Sequence, residues 1–235
     1  LNTAFFESSQ NDLGLIGIMF MIVVAVTLLL TRNIFATLAT LVVVMFSIVS
    51  ALGFIGISGI KLTAPYSVFP TMILTLAVAD SIHILVTLLQ KFRKEGYQKK
   101  ESIVESMRLN FMPVFITSLT TVVGFLTLNF GEVPPFWHLG NITAFGMCMA
   151  FLYSTTTLPA LMAIFPIWKS TTKKVIENKA GFYSRLGEFI VKQPTRLTVI
   201  SSVFIVVMTA LALKNVFNDS FVDYFDETVK FRTDS

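Results

Sequence analysis

The chain has 235 residues, of which 54% are hydrophobic and only 14% charged, with a formal net charge of +4. Its mean hydropathy is +0.75. A soluble globular domain carries about 25% charged residues, so the composition excludes one and describes a chain that lies mostly in lipid. The pI near 9.2 comes without a basic stripe interleaved with aromatics, which argues against nucleic acid as a partner.

A bilayer core about 30 Å thick takes roughly 20 apolar residues of helix, and only a helix or a closed barrel satisfies the backbone there. Six stretches between successive charges meet that need in chain order: 13–31, 33–60, 62–90 with Asp80 as its one charge, 109–131, 133–168 and 197–213. None shows the alternation of about 10 residues that a barrel strand requires. The fold class is therefore an all-α, polytopic bundle of six transmembrane helices. If the chain enters the first span from outside, the inner connections hold 14 of the 18 basic residues, leaving Lys61, Lys214, Lys230 and Arg232 outside. The positive-inside rule selects that orientation, with residues 91–108 and 169–196 as inner loops and both ends outside.

Trp137 and Trp168 flank the fifth span as interfacial anchors. In the last inner loop, Phe182, Leu186, Phe189 and Ile190 follow helical spacing opposite Arg185, Glu188 and Lys192. This reads as an amphipathic helix on the inner leaflet, stopped by Pro194, or as a helix packed on the inner ends of the bundle. Residues 1–12 read as the end of a first extracytoplasmic domain and 214–235 as the start of a second, so the chain is expected to be a piece of a longer one. Cys148 reads as an inert apolar residue. Pro113 and the glycines Gly53, Gly56 and Gly59 read as sites of bending and close helix approach. No cofactor or metal motif is present in the pattern.

The informative stretch is "LAVADSIHILV", residues 76–86. An ionised side chain at mid-membrane costs about 2.5–3.5 kcal/mol on insertion scales, so Asp80 must face protein or water. At 100° per residue Asp80, His83 and Thr87 share one stripe. The next span carries Thr117, Thr120, Thr121 and Gly124, with Ser118 beside them, and the two stripes are expected to face each other. One reading makes Asp80 a permanently protonated acid that glues helices through Ser and Thr hydroxyls. The other makes it a carboxylate that alternates between protonated and charged forms, with His83 relaying protons or tuning it.

"FPTMILTLAVADSIHILVTLLQKFRKEG" followed by "FMPVFITSLTTVVGFLTLNFGEVPPFWHLGNITAFGM" resembles the fourth to sixth transmembrane helices of the resistance-nodulation-division (RND) superfamily. It is more closely similar to the exporters of the mycobacterial membrane protein large (MMPL) and hopanoid-transporter branches, which share the five-helix sterol-sensing unit of Patched-like proteins. On that resemblance residues 13–165 correspond to helices two to six, 166–196 to a cytoplasmic linker, 197–213 to helix seven, and "FVDYFDETVKFR" to the opening of the second outer domain. The resemblance implies a proton-driven exporter in the bacterial inner membrane, acting on lipid or other hydrophobic cargo, with Asp80 carrying the proton opposite a residue of the remaining half. Membrane lipids, that second half, a second copy of the chain and a periplasmic protein are the partners compatible with it. Ser81 after Asp80 departs from the consecutive acidic pair of the drug-efflux branch, and from the Asp-Tyr pair of another.

Two other classes compete. A sterol- or lipid-sensing module without transport would use the same helices, but has no evident need of Asp80. An intramembrane protease is suggested by "GISG", residues 56–59. However, Ser58 lies at the outer edge of its span and His83 about 25 Å deeper at 1.5 Å per residue, so the two cannot meet as nucleophile and base. His138 lies at a compatible depth, with nothing else to support the pairing, and an aspartyl mechanism needs a second carboxylate within the spans.

Overall fold

The computed structural model describes residues 2–60, 68–93, 95–131, 134–167 and 189–212, with side chains in 17–60, 68–93, 95–131, 135–167 and 189–209. The regular structure among them is helical: α1 (Asn2–Thr31), α2 (Ile34–Ser58), α3 (Phe69–Arg93), α4 (Lys99–Leu126) with a 3-10 turn at Thr127–Phe130, α5 (Pro134–Thr155), α6 (Thr157–Ile164) and α7 (Pro194–Ala212). The chain divides into two units, Leu1–Thr171 holding α1 to α6 and Thr172–Ser235 holding α7. Four segments are long and apolar enough to cross a membrane: Ile34–Ser58, Phe69–Arg93, Lys99–Phe130 and Pro135–Ile164. Gly17–Thr31 and Pro194–Thr209, at the first and sixth expected spans, are shorter apolar helices. The molecule is a multi-pass, all-α membrane protein. The amphipathic segment expected near Phe182–Ile190 and the expected outer domain of 214–235 lie mostly outside the described residues, as does Trp168.

Within the first unit α3 is the central rod, touching α1, α2, α4 and α5. Lipid tails are as apolar as leucine, so what holds these helices together is close packing and interhelical hydrogen bonding. Toward the end of the bundle that carries the α3–α4 connector, Ala36 and Val43 of α2, Leu85 and Leu88 of α3, Val114 of α4 and Met162 of α6 form one buried cluster. Ala51, Phe69, Ile73 and Ile142 form another toward the opposite end.

The turn between α1 and α2 is two residues long. Arg32 takes a left-handed conformation (φ 46°), and Asn33 caps α2 by accepting from the backbone N–H groups of Phe35 and Ala36 at 2.9 and 3.3 Å. The inner connection expected over 91–108 is far shorter than that. α3 continues to Arg93 and α4 already begins at Lys99. Its first turns are charged yet helical because Gln98 and Glu101 form a capping box and Glu105 pairs with Arg108 at 3.0 Å. The fifth expected span, 133–168, is two helices, α5 and α6, broken at Thr156. Pro159 lacks the N–H that Thr155 would accept, and the hydroxyls of Thr155 and Thr156 turn back to the carbonyls of Phe151 and Leu152.

Close helix approach falls on glycines other than those expected. A Cβ on Gly140 would lie 2.5 Å from the Phe125 carbonyl oxygen of α4, and one on Gly146 would collide with Ile73 of α3, whereas Gly53 and Gly56 have open space around them. Gly59 serves as the left-handed cap of α2 (φ 66°).

Candidate functional site

Asp80 is the twelfth of the 25 residues of α3, at the middle of the helix. It is 6% exposed, enclosed on its own helix by buried Ala77, Ser81 and Ile84. Among the described residues, one side chain from another helix hydrogen-bonds to it: Ser118 of α4 donates its hydroxyl to Oδ2 at 3.0 Å. Ser118 is itself 4% exposed, so the pair is shielded, and a hydroxyl donated to a carboxylate is among the stronger hydrogen bonds available there.

α4 reaches Asp80 by a narrow seam. The residues it buries are Ser102, Ser106, Val114 and Ser118, all separated by multiples of four. Serines at i, i+4 and i+16 with Val114 at i+12 let α4 lie along one ridge, and Ser106, Val114 and Ser118 meet α3 there. A second bond ties that seam. Ser106, fully buried, donates to the Ile84 carbonyl of α3 at 2.6 Å. The serine spacing is present in the sequence, but Ser106 carries no charge that would mark it as a site residue.

The remaining expected site residues are elsewhere. His83 is at the surface of the unit, one turn beyond Asp80 toward the α3–α4 connector. Thr87 donates to the carbonyl of His83 at 3.1 Å. Thr117 donates to the carbonyls of Pro113 and Val114, Thr120 to those of Ile116 and Thr117, and Thr121 to that of Thr117. The structure thus brings together Asp80 and Ser118, and turns the four threonines onto their own helices.

Two cations at the α3–α4 connector join neighbouring helices. Arg93, just before the connector, donates to the carbonyls of Thr31 and Arg32 at 2.7 and 3.3 Å. Lys99, just after it, donates to those of Ala163 and Phe165 at 2.6 and 2.8 Å. Each satisfies the open carbonyls at the C-terminal end of a neighbouring helix, where the helix dipole favours a cation. Toward the opposite end of the bundle a lateral groove of about 530 Å³ opens between α2, α4 and α5, with Phe54, Val122 and Phe145 in its wall and His138, Asn141 and Cys148 beside them.

The sequence profile of the MMPL family matches residues 1–197. The chain belongs to the MMPL family. Among curated relatives it is 27% identical over 158 residues to the putative membrane protein MJ1562 of Methanocaldococcus jannaschii, covering 67% of this chain and 39% of that one. It is 26% identical over 178 residues to the probable transport protein MmpL2 of Mycobacterium tuberculosis (74% and 18%). With the hopanoid transporter HpnN of Rhodopseudomonas palustris it shares 28% over 134 residues (57% and 15%). The MMPL chain described here thus spans well under two thirds of the length of these relatives.

Proposed function

We propose that the full-length protein exports a lipid or another hydrophobic molecule across the cytoplasmic membrane, driven by the proton gradient, and that Asp80 is the proton carrier. The observation that carries this reading is the enclosure of Asp80 at the middle of a central membrane helix with one hydroxyl partner, Ser118. A carboxyl group kept at that depth is costly unless it is used, and changing its protonation changes what it demands of its neighbours: an ionised acid takes only donors, a protonated one also gives a proton. Family membership supports a transporter, and the name of the HpnN relative supports lipid cargo. The wealth of basic residues on one side supports the inner-face placement of the α3–α4 connector. His83, one turn inward, is proposed as the next proton acceptor toward that face.

The test is Asp80→Asn in the full-length protein, reconstituted with an imposed pH difference. The amide approximates the protonated acid, so the variant should insert and fold with undiminished thermal stability while transport falls at least about 100-fold. Transport at the parent rate would return Asp80 to the role of helix glue. The groove between α2, α4 and α5 favours a second reading, a lipid-sensing module. That reading predicts lipid-dependent stabilisation and no dependence of any activity on Asp80.

A further inference from the structure

Three threonines of α4 sit at the level of the Asp80 site and do not take part in it. Their hydroxyls have another effect. Between Pro113 and Thr121 the carbonyls of Pro113, Val114, Ile116 and Thr117 each accept a threonine hydroxyl, at 2.8 to 3.1 Å. Such back-bonds compete with the i to i−4 ladder and bend helices. In the same stretch Pro113 lacks the N–H that the Leu109 carbonyl would accept, and its ring crowds that carbonyl. Back-bonds also occur elsewhere, singly at Thr198 and Thr209 of α7, and clustered at Ser154, Thr155 and Thr156 just before Pro159, where the chain breaks between α5 and α6. In α4 three back-bonding threonines and Pro113 fall within nine residues of one unbroken helix.

Both ends of α4 are held. At the inner end Lys99 grips the end of α6 and Ser106 grips α3. At the outer end the backbone of Gly140 lies directly on Phe125, and Asn129 and Asn141 exchange two amide hydrogen bonds at 2.9 and 3.0 Å. Phe151 of α5 lies against both Phe111 and Phe115 in tilted contacts, with ring centroids 5.8 and 5.6 Å away. Of the stretch from Pro113 to Thr121, α4 buries Val114 and Ser118 and leaves Thr117, Leu119 and Thr120 exposed. Ser118, the partner of Asp80, lies within this softened stretch.

We propose that Pro113, Thr117, Thr120 and Thr121 form a soft joint in α4 between two anchored ends, so that making or breaking the Ser118–Asp80 bond displaces the middle of the helix without uncoupling it from α3 or α5. The joint stands apart from the proton-carrier reading: transport tests Asp80, helix distances test α4, and either can fail alone.

The experiment places nitroxide labels at the exposed positions Ile57 of α2 and Leu119 of α4 in the full-length protein, in a Cys148→Ala background, and reads their distance distribution in lipid nanodiscs. Thr117→Val, Thr120→Val and Thr121→Val together remove the hydroxyls at constant shape and suit lipid, so the fold is retained. The triple variant should narrow the distribution to about half the parent width, and Pro113→Ala should narrow it in the same sense. Ser118→Ala should shift the mean by about 2 Å, the size of a helix shift at an interface. An unchanged width in the triple variant overturns the joint, and so does a Ser118→Ala mean equal to that of the parent.

Discussion

α3 and α4 cross the membrane side by side, both with polar residues near mid-membrane, and they treat those residues in opposite ways. α3 turns Asp80 into the protein, where Ser118 meets it. α4 leaves Thr117 and Thr120 at the surface and bonds their hydroxyls to its own carbonyls. A hydroxyl three or four residues from a carbonyl of its own helix can be satisfied in lipid with no partner. A carboxylate has no donor within its own helix ladder and must find one on a neighbour. A polar stripe therefore identifies a buried face only when it contains a group that its own helix cannot satisfy.

The comparison breaks first, and in an all-or-none manner, if the helices are not oriented as their charges demand. A cysteine at Lys100, exposed at the inner end of α4, should react with impermeant reagent from the inside only, and one at Val68, at the outer end of α3, from the outside only. Labelling of both from one side refutes the orientation.

Packing supplies the next largest contrast. Leu85 of α3 is fully buried while Leu119 of α4 is 47% exposed. Leu85→Ala should lower stability by about 2–5 kcal/mol and Leu119→Ala by no more than about 0.5 kcal/mol, measured by thermal or denaturant unfolding in one detergent. Equal losses would mean that α4 is as tightly enclosed as α3.

The glycines sharpen the same contrast. Gly140→Ala must push α5 away from the Phe125 carbonyl and should cost about 1–3 kcal/mol. Gly53→Ala, in open space within a helix, should leave stability unchanged or raise it by about 0.5–1 kcal/mol.

The smallest effects compare hydroxyls directly. Ser118→Val strands the Asp80 carboxyl and should cost about 1–3 kcal/mol, whereas Thr120→Val, which removes only back-bonds, should be neutral within about 0.5 kcal/mol. A Thr120→Val loss as large as that of Ser118→Val would show that the α4 surface hydroxyls also have partners across helices.

Much of this was legible in the residues themselves. Charge-free runs of helix-spanning length fix a helical membrane protein because no other backbone form is satisfied in lipid, and an acid at position 80 must turn inward because lipid cannot solvate it. The break between α1 and α2 falls at Arg32, the one charge between the first two runs. Tertiary structure alone decided which hydroxyl meets Asp80. Ser118, Thr117, Thr120 and Thr121 are close in sequence and alike in chemistry, and the choice falls to the ridge of Ser106, Val114 and Ser118 that α4 lays on α3. It also decided that Gly140 and Gly146, and not Gly53 or Gly56, receive a neighbouring helix, and that Arg93 and Lys99 cap α1 and α6. The reason is common to all three. Burial of a whole segment follows from its average transfer energy, which any run of residues declares, whereas a pairwise contact depends on the rotation and register of two helices, which neither sequence states alone.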